Sequence, residues 1–370
     1  MHRVLNATRR ALSVALPVML SVVALTAMPA TASAGTPAIT FDIQLFDPCL
    51  RGSGAADATI SVVWRDSNGA LKASGTATHP FSSGVWEFCS PGNAMTPGDK
   101  LKVGDGSYTR AYTVPNVTLH IDRVNDVYVG TGPAGRTLRL CIQTGDFGRC
   151  HSVRVGQDGQ WSYDPHDDLI HYQGAGYGVS LYWTSPNDDT VFIDGLNAPF
   201  LAVTLGTSKF SGETDPLGNV SVTVSNAKTG TGSATGGQYG DFAGRLHKQN
   251  GNAYVIAPGD HVSAPSLASD ADWIVPQIDA AVDAATDVVN GRCYDSGTSA
   301  QTYFVDVYRT AGHLRGTTTS QTDPDGSFSV NMRTDVGDFF EKSANIKHGD
   351  KVVVGCIQTT GDVAQVELWP

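Results

Sequence analysis

The densest polar constellation in the chain is Asp164-Pro165-His166-Asp167-Asp168-Leu169-Ile170-His171. His166, Asp168 and His171 are its candidate ligands for zinc or another borderline cation, with nitrogen from histidine and oxygen from aspartate. Nothing in the stretch supplies partners to orient such ligands, and a solvated surface loop is the simpler reading. Asp323 and Asp325, in Thr322-Asp323-Pro324-Asp325-Gly326-Ser327, could open a calcium loop. No Glu follows at the closing position, Asp335 is short for that role, and turn chemistry fits the segment better. Asn187-Asp188-Asp189 also reads as a turn. No cofactor is expected, zinc and calcium being the only ones for which residues can be named. Motifs for covalent, metallopeptidase or phosphate chemistry are missing: there is no G-x-S-x-G, H-E-x-x-H or G-x-x-x-x-G-K-[ST]. The Gly230–Gly240 run lacks the lysine and following helix of a phosphate loop. No spacing singles out an Asp pair for glycoside hydrolysis. An enzyme is not expected.

Those residues must be carried by strands. The chain has 370 residues, 41 of them Gly, and only four of its 36 acidic residues are Glu (Glu87, Glu213, Glu341, Glu367). Aspartate favours turns and caps over helix interiors, so long helices are excluded and an all-β chain is expected. A 41% apolar content and 16% charged residues exclude a disordered chain. Four stretches alternate with period two, the mark of a half-buried strand: Ile60/Val62/Trp64, Leu138/Leu140/Ile142, Val220/Val222/Val224 and Tyr303/Val305/Val307. After each comes one aromatic (Trp86, Trp161, Phe242, Phe328), and after three of them a Gly-Asp turn (Gly98-Asp99, Gly259-Asp260, Gly349-Asp350). Prolines 37, 115, 199 and 276 open the units, so the pattern repeats four times at the size of a small sandwich domain. The repeat accounts for Trp64, Trp86, Trp161 and Trp183 as packing. Trp273 and Trp369 are left as candidates for stacking against a sugar.

Arg3, Arg9 and Arg10, the apolar stretch from Ala11 to Met28 and the Ala32-Ser33-Ala34 exit predict a secretory signal peptide cleaved after Ala34. Its removal leaves 22 basic against 36 acidic residues, a net charge of −14. That balance, with no basic cluster, excludes nucleic acid as a partner. No later run is long enough to span a bilayer, so no membrane insertion of the mature chain is expected. Six cysteines suit an oxidising compartment, and none forms C-x-x-C. Six allow 15 pairings. Cys141 and Cys150 flank Gly145-Asp146 symmetrically, so a hairpin there would bring them face to face. Cys49 with Cys89 and Cys293 with Cys356 would each close within one repeat.

Phe210-Ser211-Gly212-Glu213-Thr214-Asp215-Pro216-Leu217-Gly218-Asn219-Val220-Ser221-Val222 resembles the opening of bacterial immunoglobulin-like (Big-type) repeats, as does Val129-Gly130-Thr131-Gly132-Pro133-Ala134-Gly135-Arg136-Thr137-Leu138. Thr322-Asp323-Pro324-Asp325-Gly326-Ser327-Phe328 is similar to their second hairpin. The resemblance implies extracellular β-sandwiches used as spacers, stalks or adhesive modules, with no shared catalytic residues. The expected organisation is a signal peptide over 1–34 and a tandem array of four immunoglobulin-like β-sandwich domains at 35–114, 115–198, 199–275 and 276–370. The expected function is a secreted, non-catalytic binding or structural protein of adhesin, stalk or spacer type, whose partner is an extracellular protein or surface polysaccharide. The rivals are a carbohydrate-binding or carbohydrate-degrading protein and a metal-dependent protein built on the His166/Asp168/His171 loop.

Overall fold

The structure is a computed structural model that describes residues 39–55, 58–78, 84–144, 147–165, 178–294, 300–309, 312–335 and 343–370. The expected signal peptide, the Gly145-Asp146 turn and the His166, Asp168 and His171 loop lie outside the described residues. Among those residues the ordered elements are all strands. The first seven are β1 (Thr40–Gln44), β2 (Cys49–Ser53), β3 (Ser61–Arg65), β4 (Leu71–Thr76), β5 (Val85–Cys89), β6 (Lys100–Gly104) and β7 (Thr109–Thr113). Next come β8 (His120–Asp122), β9 (Val127–Thr131), β10 (Thr137–Thr144), β11 (Phe147–Arg154), β12 (Gln160–Tyr163), β13 (Gly178–Thr184) and β14 (Thr190–Leu196). Then follow β15 (Phe200–Thr204), β16 (Lys209–Glu213), β17 (Asn219–Ser225), β18 (Thr229–Thr235), β19 (Asp241–Arg245), the short β20 (His247–Lys248), β21 (His261–Ser263) and β22 (Asp272–Ile274). The last are β23 (Gln277–Asp283), β24 (Val288–Tyr294), β25 (Thr302–Tyr308), β26 (Leu314–Gln321), β27 (Ser327–Asn331), β28 (Lys351–Ile357) and β29 (Val363–Leu368).

The same local chemistry builds each set. The period-two residues of β3, β10, β17 and β25 turn inward, so Val62, Trp64, Leu140, Val222 and Val305 are all buried. The recurring aromatics Trp86, Trp161, Phe242 and Phe328 are buried too, and each lies directly across its ladder from a glycine: Gly52, Gly130, Gly212 and Gly291. A Cβ on Gly212 would stand 2.8 Å from the Phe242 ring and 2.0 Å from the Phe200 carbonyl oxygen, so the ring occupies space that any other residue would fill. The Gly-Asp turns repeat a second device. Gly98, Gly259 and Gly349 have φ of 86°, 82° and 87°, and the next residue is an aspartate that accepts the backbone N–H three positions earlier. Asp99, Asp260 and Asp350 are therefore buried, although a Gly-Asp pair reads in sequence as an exposed turn. Asp99 also accepts the Trp64 indole N–H at 2.8 Å and pairs with Lys72.

Two seven-stranded sheets run through the molecule, in the orders β11-β10-β13-β14-β1-β2-β5 and β19-β16-β15-β29-β28-β25-β26. Each contains one parallel pair, β14 beside β1 and β29 beside β15, which joins strands some 150 residues apart in the chain. Four smaller sheets pack against them: β4-β3-β6-β7, β12-β9-β8, β20-β18-β17-β21-β22 and β23-β24-β27. Buried apolar residues gather into two clusters, one drawn from residues 39–198 and one from 201–364.

A buried carboxylate sits at each parallel junction. Asp189, in the turn before β14, accepts the Phe41 N–H and holds Arg110, whose Nη1 also reaches the Ile39 carbonyl. Asp362, before β29, accepts the Leu201 N–H and holds Arg123, whose Nη1 also reaches the Pro199 carbonyl. The two cradles match contact for contact, but the arginines differ in origin. Arg110 comes from β7 of the same cluster, whereas Arg123 comes from the β8–β9 turn and crosses from the first cluster to the second, where it also meets Asp270. The position on β22 edge that corresponds to Arg110 is Ala271, which leaves the opening Arg123 fills. His120 adds a second crossing bond, Nδ1 to Asp215 at 2.8 Å.

Three disulfides are present. Cys49–Cys89 joins neighbours on β2 and β5, Cys141–Cys150 joins neighbours on β10 and β11, and Cys293–Cys356 crosses the core from β24 to β28. They agree with the oxidising compartment that the cysteine count implies.

Candidate binding face

The alternation that buries Tyr303, Val305 and Val307 on one side of β25 turns Phe304, Asp306 and Tyr308 to the other side. Lys351 and Val353 on β28, Gln365 and Glu367 on β29, and Phe200 and Ala202 on β15 come to the same outer face. With Ser211, Thr317 and Thr319 they line a trough of about 440 Å³. Cross-strand register sets the rows: Thr317, Asp306, Val353 and Glu367 lie in line across four strands, and Thr319, Phe304, Gly355, Gln365 and Thr204 form the next row.

Gly355 opens the trough. A Cβ there would stand 2.1 Å from Phe304 Cε1, so the ring lies flat over the β28 backbone only because no side chain competes with it. On the other seven-stranded sheet Tyr182 takes the place of Gly355, since Arg139 and Leu140 pair with Tyr182 and Leu181 as Phe304 and Val305 pair with Gly355 and Val354. There Tyr182 stacks on Phe192 with ring centroids 5.6 Å apart, and the Cys141–Cys150 disulfide stands where Asp306 and Thr317 do.

The trough's charges are internally matched. Glu367 accepts from Lys209 at 2.8 Å and from Lys351 at 3.4 Å, while Lys351 lies 4.8 Å over the Tyr308 ring. Burial works to raise the Glu367 carboxyl, but the two ammonium groups prevail and hold it below the usual carboxylate range. Burial pushes the Asp306 carboxyl upward against hydrogen bonds from Thr317 and Tyr308 and the charge of Lys351. The Tyr308 hydroxyl donates to Asp306 at 3.0 Å. Such a surface offers ring faces, hydroxyls, an amide and compensated charges. It can hold a polyol by stacking and hydrogen bonding, and neither carboxylate is set up as an uncommitted base.

Of the aromatic candidates, Trp273 is 8% exposed and packs in the second core cluster with its indole N–H unpartnered, so burial leaves it no ring face for a ligand. Trp369 is 61% exposed and extends the Val363, Gln365, Glu367 alternation by one step beyond β29. Asp325 accepts from the Ser327 N–H and hydroxyl, and Asp335 accepts from the Asn331 N–H, so each closes its own turn. Asp189 proves to be a buried anchor in place of an exposed turn residue. Among the described residues, the one group of metal-type ligands is Cys49, Glu87 and Cys89, and its sulfurs are committed to the disulfide.

Glu213 on β16 carries a distinct consequence. Burial raises its carboxyl to about 7, against a hydrogen bond with Asn197 and with help from the Asp241 charge across the ladder, and its Oε2 is buried without a partner. A native pKa above the unfolded one means that its contribution to stability is complete below the unfolded value and is lost as pH rises through about 7. Glu213→Gln is therefore expected to raise the melting temperature at alkaline pH by about 2–4 °C. The gain should vanish in mild acid, and an equal gain at both pH values would contradict this account.

No protein-family model matches the chain, and no curated protein matches it. Solved structures similar to it include a tetra-tandem repeat from the extending region of a large adhesion protein, at 14% identity over 90% of this chain and 98% of that one, with a TM-score of 0.20. Escherichia coli alpha-2-macroglobulin activated by porcine elastase is similar at 10% identity over 90% of this chain and 43% of that one, with a TM-score of 0.18. The Group B Streptococcus pullulanase SAP is similar at 13% identity over 46% of this chain and 24% of that one, with a TM-score of 0.17. The chain thus spans less than half of the last two, and at these TM-scores the likenesses carry no argument about arrangement or activity.

Proposed function

We propose that the mature chain is a secreted, non-catalytic binding protein of the adhesin, stalk or spacer type, and that the trough on β25, β28, β29 and β15 is its binding face. The observation that carries this reading is the Gly355–Phe304 arrangement. It opens a mixed aromatic and polar trough on one seven-stranded sheet, whereas Tyr182 fills the matching place on the other. The prolines at 115, 199 and 276 divide the strands into sets of seven, seven, eight and seven, which supports reading four immunoglobulin-like units at 35–114, 115–198, 199–275 and 276–370, following a signal peptide removed after Ala34, with each seven-stranded sheet shared between two neighbouring units. The core-crossing Cys293–Cys356 joins the second and sixth strands of its set, as the inter-sheet disulfide of antibody domains does.

Sedimentation with insoluble cell-wall and polysaccharide fractions tests the reading. Wild-type protein is expected to be retained by at least one fraction, and Phe304→Ala to be retained about fivefold less. Retention that ignores Phe304 and Trp369 would remove the trough as the binding face. No retention by any fraction would leave a protein partner as the remaining form of the proposal.

A further inference from the structure

We infer that the trough binds an uncharged polysaccharide chain. The inference rests on the trough being the binding face and concerns what it takes. An ionic polymer needs uncompensated charge of the opposite sign, and here two lysines already serve Glu367 while two hydroxyls serve Asp306. Recruiting a charged ligand would require breaking those bonds within a partly desolvated trough, where an orphaned charge is expensive. The remaining surface is the kind a sugar uses. Phe304 lies flat over Gly355, Phe200 and Tyr308 add apolar surface, and Thr317, Ser211 and Gln365 bring hydroxyl and amide groups beside them. The lining runs across six adjacent strands, about 24 Å at ordinary strand spacing. That length suits a chain of several sugar rings better than a single small molecule. Trp369, exposed one step beyond Glu367 along β29, lies at the strand-end margin of the trough, to one side of the cross-strand rows.

Affinity electrophoresis of the full mature protein provides the test, in gels containing a neutral α-glucan, β-glucan, xylan or mannan, and in gels containing alginate or chitosan. At least one neutral glycan should retard the protein, with the dissociation constant changing less than about twofold between low and high salt, because no ion pair forms on binding. Phe304→Ala should weaken that retardation about fivefold. Phe304→Leu, which keeps apolar bulk on the strand but removes the ring face, should weaken it similarly, so that misfolding cannot account for the loss. Tyr182→Ala, on the other sheet, should change nothing. Glu367→Gln frees a lysine and should confer retardation by alginate. Retardation by alginate or chitosan alone, sensitive to salt and lost in Phe304→Ala, overturns the uncharged ligand but keeps the binding face. Retardation by no polymer removes the polysaccharide ligand and leaves the trough only a protein partner, and retardation by a polymer whatever residue 304 is removes both ligand and binding face.

Discussion

Replacing Arg123 by alanine is expected to cost about 3–5 kcal/mol, because the change leaves the Asp362 carboxylate buried without its counter-charge. Arg123 is 4% exposed and Asp362 0% exposed, so water cannot take over the pairing. Chemical denaturation monitored by Trp fluorescence would give the value. The double variant Arg123→Met/Asp362→Leu should recover much of the loss, since no unpaired charge remains, and the cycle would report the coupling between the two residues. A second signature distinguishes this contact from an ordinary core residue. Arg123 comes from the stretch of chain that builds the first cluster, whereas its acceptors Asp270 and Asp362 come from the stretch that builds the second and Pro199 leads into it. The alanine variant should therefore unfold in two calorimetric steps, whereas Arg110→Ala, whose contacts stay within the first cluster, should weaken that cluster alone. A melting temperature within 1 °C or so of wild type for Arg123→Ala would refute the assignment, because about 1 kcal/mol already moves a domain of this size by several degrees. At the matching turn on the last strands the Arg123 position is Ala284, between the capping Asp283 and the positive-φ Asp287, so this plug occurs once.

The second large effect belongs to the disulfide that crosses the core. Closing a loop of sequence separation 63, Cys293–Cys356 should stabilise by about 4 kcal/mol through the unfolded chain, against roughly 2.5 kcal/mol for Cys141–Cys150 with its separation of 9. The gap should widen in practice. Cys293 and Cys356 are both buried in the second cluster, so Cys293→Ala/Cys356→Ala also leaves a cavity, while the Cys141–Cys150 bridge lies on the outer face of its sheet. Guanidinium unfolding of the two double-alanine variants would rank them. A smaller loss for the core-crossing pair would mean that the unfolded chain does not set its contribution.

What the sequence disclosed follows the range of each interaction. The buried faces of β10, β17 and β25 were legible because a half-buried strand writes its inner face as a period of two, and the recurring aromatics because one follows 18 to 22 residues after the last alternating residue of each such strand. The parallel pairs were not, since nothing local at Asp42 or Ala202 specifies a partner at Thr190 or Val363. The anchoring aspartates were concealed by residue type: Asp189 and Asp362 have the turn residues around them that surface loops have, and burial comes from distant amides and arginines. The trough was concealed in the intervening positions of the strand read most securely. Between Tyr303, Val305 and Val307 stand Phe304, Asp306 and Tyr308, where the corresponding places on β17 hold Ser221 and Thr223. Large aromatics on the outward side of an otherwise ordinary alternation were the available signal. No position of the sequence repeat accounts for Trp273, yet it packs in the core beside Val262 on the neighbouring strand.

The parallel pairs also decide how the molecule would carry tension. In the second cluster the chain enters along β15 and leaves along β29, and the two run side by side in the same direction. A pull applied at residues 199 and 368 drags β15 toward its start and β29 toward its end, so the strands are sheared past one another rather than peeled apart. The ladder from Ala202–Val363 to Thr204–Gln365 and the grip of Asp362 on Leu201 must then yield together instead of in succession. β1 and β14 place the first cluster under the same geometry. Force passing along the chain meets one transverse lock in each half, formed where its first and last strands pair, and the hydrophobic cores stay out of the line of pull until that lock fails.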